Sequence, residues 1–146
     1  MNQSYHTINE TLVSLFNEIM DIEQRALITG EFKEISLNDM HVIEAIGLEE
    51  PKNMSTVAKA LSVTVGTLTI AINNLVKKNY VNRVRSEEDR RVVLLSLSEK
   101  GIKAYHHHQN FHEQMVNAVM EDLNEEELSA LVKALKRLKG FFKQQG

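Results

Sequence analysis

Between residues 55 and 97 the chain sets two short helical patterns three residues apart, then two β-branched runs joined by the charged tip Ser86-Glu87-Glu88-Asp89-Arg90-Arg91. Ser55 is placed to cap a helix over 56–61, with Val57, Ala58 and Leu61 facing inward. Thr64 caps the next helix, which the pattern carries to residue 78, and Asn79 stands where a left-handed residue ends one. Leu68, Ile72, Leu75 and Val76 keep helical spacing on its inner side. That leaves Gly66, Thr67, Ile70, Asn73, Asn74 and Lys77 around the other faces, and the outward face reads as small, polar and basic. The runs 80–85 and 92–97 are rich in valine and leucine and read as a β-hairpin.

Charge separates this middle from the rest. Lys77, Lys78, Arg83, Arg85, Arg90 and Arg91 outnumber Glu87, Glu88 and Asp89, although the whole chain carries a net charge of −3. A basic segment between acidic flanks suits a protein that meets phosphates along one face only.

On either side the pattern is helical. Ile8, Leu12, Leu15, Phe16, Ile19, Met20, Ile22 and Leu27 form one wide stripe on a first helix expected to end at Gly30. Ser36 with Asp39 opens a second, closed by Gly47, and Pro51 sits in the loop beyond it. Ser98 caps a long helix to about residue 123. Asn124 with Glu127 opens a last one carrying Leu128, Leu131, Leu135, Leu138 and Phe142. The expected order is ααααββαα, mainly α, in one domain over 1–146, with a DNA-binding lobe at 36–97. Residues 1–30 and 98–146 are the dimerisation helices. Their long stripes have few partners within one chain, so a symmetric homodimer through the terminal helices is expected.

A helix with a small polar outer face, preceded by a short helix and followed by a basic hairpin, has the geometry of a winged helix-turn-helix. Its second helix fits the major groove of duplex DNA. Gly66 permits close approach. Thr67 and Thr69 offer hydroxyls to bases or phosphates, and Asn73 is suited to adenine or a phosphate. Backbone N–H groups near Ser55 and Thr64 favour phosphates. Arg90 or Arg91 reaches the minor groove, oriented by Asp89. Val65, Asn74, Lys77, Arg83 and Arg85 complete the expected DNA-binding set.

Residues 61–69 (Leu-Ser-Val-Thr-Val-Gly-Thr-Leu-Thr), Asn74-Leu75, Lys77-Lys78-Asn79-Tyr80-Val81, Asp89-Arg90-Arg91 and Leu97-Ser98-Glu99-Lys100-Gly101 resemble the MarR family of dimeric transcription regulators over essentially the whole chain. Ile35-Ser36 with Met40-His41, the stretch 81–87, and Phe111-His112 with Met115-Val116 are most similar to members that repress fatty-acid synthesis genes. That resemblance implies a near-palindromic operator and long-chain acyl-acyl carrier protein as corepressor. Met20, Met40, Phe111 and Met115 are the flexible apolar side chains suited to line an acyl channel.

Tyr105-His106-His107-His108, with His112 one helical turn after His108, also resembles zinc-responsive members of the family. On that alternative His41, His108 and His112 hold zinc. The first-helix glutamate of those members aligns near Ala26, with Glu23 a turn earlier, and Glu23, Glu44 or water would complete the site. On the favoured reading there is no metal and no cofactor.

Composition excludes other classes. The absence of cysteine removes disulfides, thiolate zinc sites and cysteine nucleophiles. Aromatic residues at 5% and no tryptophan argue against stacking platforms for single strands. No Gly-rich phosphate loop, nucleophile elbow or metalloprotease helix appears, so no enzyme is expected. With no apolar run near ~20 residues and no leader, the expectation is a cytoplasmic protein without a membrane partner.

Overall fold

Local side-chain caps decide where most helices begin. The computed structural model describes residues 2–28 and 31–145, with side chains described for all of these but 26–28. The elements are α1 (Gln3–Ile28), α2 (Leu37–Ile46), β1 (Lys52–Asn53), α3 (Met54–Leu61), α4 (Val65–Lys77), β2 (Val81–Arg85), β3 (Val93–Leu97), α5 (Glu99–Met120) and α6 (Glu125–Gln145). The end of the first helix expected at Gly30 lies outside the described residues.

Ser36 accepts from the Asp39 N–H while Asp39 accepts from the Ser36 N–H, a complete capping box. Asn124 and Glu127 repeat it at the start of α6, at 2.9 and 3.0 Å. Gly47, at φ +72°, closes α2 and donates to the Ile43 carbonyl. Asn79, at φ +69°, takes the left-handed conformation after α4.

Two expectations need correction here. Asn53, not Ser55, caps α3: its Oδ1 accepts from the Thr56 N–H at 2.8 Å, and Ser55 falls inside the first turn. The reason is a strand absent from the expected order. Residues 52–53 pair antiparallel with β3, Lys52 opposite Leu95 and Asn53 opposite Leu94, so Asn53 is extended as it enters the helix. The observed order is thus ααβααββαα, with a three-stranded sheet β1-β3-β2. The β2–β3 hairpin is in the expected place, from Val81 opposite Leu97 to Arg85 opposite Val93.

The chain forms two compact units, Met1–Gln109 and Asn110–Gly146. In the first, Met40, Ile43, Ile46, Val57, Leu68, Ile72, Leu75, Tyr80 and Leu95 are essentially inaccessible and form one core beneath α2, α3, α4 and the sheet. Each such side chain contributes about 1.5–3 kcal/mol. This core holds the outer face of α4 and the hairpin in fixed register. By contrast α6, in the second unit, has no buried residue, and Leu135 and Phe142 of its stripe are half exposed. Much of the α1 stripe is similarly open, with Ile8 59% and Phe16 55% accessible. No single helix among the described residues is long and apolar enough to cross a membrane.

Candidate nucleic-acid interface

The outer surface of the first unit gathers part of the expected DNA-binding set from α3, α4 and the β2–β3 hairpin. A cleft of about 470 Å³ is lined by Ser55 of α3, Val65 and Thr69 of α4, Arg83 of β2 and Arg91 of the hairpin tip, with Asn53 and Met54 beside them. Residues far apart in sequence therefore share one face.

On α4 the hydroxyls have definite polarity. Thr64 Oγ1 accepts from the Thr67 N–H at 3.1 Å and donates to Thr67 Oγ1 at 3.0 Å, so the hydrogen of the Thr67 hydroxyl is available to point outward. Thr69 donates to the Val65 carbonyl at 2.8 Å and offers its lone pairs to the surroundings. Gly66 leaves open space: an added Cβ would meet only Thr64 Oγ1, at 3.8 Å. Asn73 is exposed and Asn74 half-buried, and Lys77 is exposed in the last turn of the helix. Asn73 does not stand alone, because Arg83 Nη1 donates to its Oδ1 at 2.5 Å.

The tip is ordered by charge. Asp89 accepts from the backbone N–H of Arg91 at 3.1 Å and binds its guanidinium through both carboxylate oxygens, at 3.1 and 3.0 Å. The Arg91 guanidinium holds the Asp89 carboxyl below the usual carboxylate range. Arg91 nevertheless remains 90% accessible, held in place yet open to a ligand. Arg85 donates to the Arg90 carbonyl at 2.8 Å, which fixes the backbone while the Arg90 side chain stays exposed.

Sequence reasoning left Ile70 out of the candidate set. It is 74% accessible in the middle of α4, out of step with Leu68, Ile72 and Leu75. That break in the apolar spacing was the available signal. An exposed aliphatic side chain is of the kind that meets thymine methyl groups when a helix enters a major groove.

The candidate effector residues are placed differently. Met40 is fully buried in the core of the first unit and presents no surface to a ligand. Met20, 57% accessible, lines an open cleft of about 460 Å³ with Asn17, Gln24 and Leu37. Phe111 is half-buried and Met115 37% accessible, both on the α5 segment of the second unit.

Among the histidines, buried His108 bonds Glu44 through Nε2 at 2.9 Å, and its ring centroid lies 6.5 Å from that of His41. Buried Glu23 brings a carboxylate oxygen within 4.8 Å of a His108 ring nitrogen. Glu23 and Glu44, the two acidic residues named for the alternative site, thus both approach His108. His112 follows on α5 in the second unit.

The family model "Transcriptional regulator SarA/Rot" matches residues 28–108. SarZ of Staphylococcus saprophyticus is 33% identical over 103 residues, 69% of this chain and 70% of that protein. YpoP of Bacillus subtilis is 31% identical over 91 residues, 62% of this chain but only 57% of its own length. The solved structure of Streptococcus pneumoniae FabT in complex with DNA is 42% identical, covers 97% of this chain and 99% of that one, and superposes with a TM-score of 0.87. The chain belongs to the winged-helix transcription regulators of the MarR and SarA/Rot type, a family of DNA-binding regulators rather than enzymes.

Proposed function

We propose that the chain is a homodimeric repressor of fatty-acid synthesis genes that reads a near-palindromic operator and takes long-chain acyl-acyl carrier protein as corepressor. The observation that carries the DNA half of this reading is the convergence of Ser55, Thr69, Arg83 and Arg91 on one cleft beside the outer face of α4. α4 enters the major groove with Thr67, Ile70 and Asn73 toward the bases. The arginine-bearing tip lies along the flanking minor groove. A second copy covers the open stripes of α1 and α6 and sets two α4 helices about one DNA turn apart.

The fatty-acid assignment draws on the likeness to FabT and on the flexible apolar side chains Met20, Phe111 and Met115. An acyl ligand tightens operator binding only by preferring the DNA-competent spacing, on the order of 5- to 150-fold. Fluorescence anisotropy on a fatty-acid promoter duplex tests this, with long-chain acyl-carrier protein, unacylated carrier and zinc compared. Tightening by the acylated carrier alone supports the proposal, and indifference to it removes the corepressor.

A second reading is favoured by the approach of Glu23 to His108. Glu23 and His108 supply an oxygen and a nitrogen donor suited to zinc, and the Glu44–His108 bond is of the kind that orients a ligating imidazole. Tightening by zinc that His108→Ala abolishes, with indifference to the acylated carrier, would put this reading first.

A further inference from the structure

Asn73 on α4 has its hydrogen-bonding capacity altered by a side chain from another element. A free asparagine recognises adenine by accepting from the N6 amino group and donating to N7. Here Arg83, arriving from β2, donates to Asn73 Oδ1 at 2.5 Å, a charge-assisted bond between two exposed side chains. An adenine N6–H brought to the same oxygen would meet a guanidinium cation beside it. With one lone pair of Oδ1 taken by the guanidinium and that cation beside the other, the pair presents outward chiefly donors: the Asn73 amide N–H groups and the remaining Arg83 N–H groups.

We infer that Asn73 and Arg83 act as one composite donor that selects guanine, whose N7 and O6 are both acceptors in the major groove, and discriminates against adenine. The inference rests on α4 entering the major groove, as proposed above. It changes what the sequence suggested for Asn73, because the selecting partner comes from a strand ten residues further along.

The test is selection from a library of duplexes with randomised positions, followed by titration of single sequences. The wild type should enrich guanine at one position of each half-site. Replacing that guanine with 7-deazaguanine, which lacks N7, should weaken wild-type binding about tenfold and leave Asn73→Ala nearly unaffected. Arg83→Met keeps the stem, frees Oδ1, and should shift that position toward adenine by a similar factor. Asn73→Asp keeps the acceptor for Arg83 but loses the outward N–H groups, and should lose the guanine preference. Operator binding with no effect of 7-deazaguanine, and uniformly weaker binding by Arg83→Met with unchanged base preference, would overturn the inference while leaving the DNA-binding reading intact. Enrichment of no duplex by the wild type would overturn both. The wild-type half of the deazaguanine arm uses unaltered protein and so does not depend on how a variant folds.

Discussion

A Cβ on Gly101 would lie 2.2 Å from the carbonyl oxygen of Tyr80. The same carbonyl accepts the Ser98 N–H at 3.0 Å, and Ser98 Oγ donates to the Asn79 carbonyl at 2.6 Å, so the start of α5 is pressed against the turn that ends α4. Both partners in that contact are backbone, which cannot swing aside as a flexible side chain would. Gly101→Ala should therefore destabilise the protein by about 1–3 kcal/mol or more. Chemical denaturation measures it. An unchanged midpoint would mean that α5 does not sit this close to Tyr80.

Glu34 ties the same region together. Its carboxylate pairs with Lys100 and accepts from the Tyr80 hydroxyl at 3.0 Å, while its backbone carbonyl accepts from Lys78 at 2.5 Å. The hydrogen bond from Lys100, helped by that from Tyr80, holds the Glu34 carboxyl below the usual range. Burial, and then the bond to Glu34, push the Tyr80 hydroxyl upward. The folded carboxyl thus titrates below the unfolded value of about 4.3, so its contribution is present above that pH and fades as acid passes through the folded value. Glu34→Gln should melt below the wild type at neutral pH, with the gap closing in acid. A gap independent of pH would contradict the ion pair.

At the wing, Arg90→Ala should weaken binding to all duplexes by similar factors and reduce the slope of log K against log salt by about 1. Equal binding by Arg90→Ala and wild type at several salt concentrations would refute the wing's contact with phosphates.

Because Ile70 is outside the core, Ile70→Ser should change folding stability by no more than about 0.5 kcal/mol. It should lower affinity for operators carrying thymine opposite that turn of α4 and spare those without it. Anisotropy on paired duplexes, thymine against uracil, isolates the methyl group. A variant that binds both duplexes as the wild type does would return Ile70 to an uninvolved surface position.

What could be read in advance was local. Ser36 with Asp39, Thr64, Asn79 and Asn124 with Glu127 act within a few residues of themselves, so their spacing alone located four helix ends. The hairpin was legible because Leu95 and Leu97 alternate inward. What escaped depends on distant chain. Asn53 became the α3 cap because β3 draws residues 52–53 into a strand, which a two-residue polar segment does not announce. Met40 has a ligand-lining side chain by type, but α2 turns it into the core. The bond from Arg83 to Asn73 crosses between strand and helix, and nothing in either residue's neighbourhood signals it.

The central claim, that two copies present α4 and the wing to one duplex, is tested most directly by sedimentation of the purified chain alone and with a fluorescent duplex bearing a two-fold-symmetric half-site pair. The account predicts a dimer in free solution, two chains per duplex, and loss of the complex as salt rises. A monomer that binds duplex and single strand alike, or neither, would contradict it.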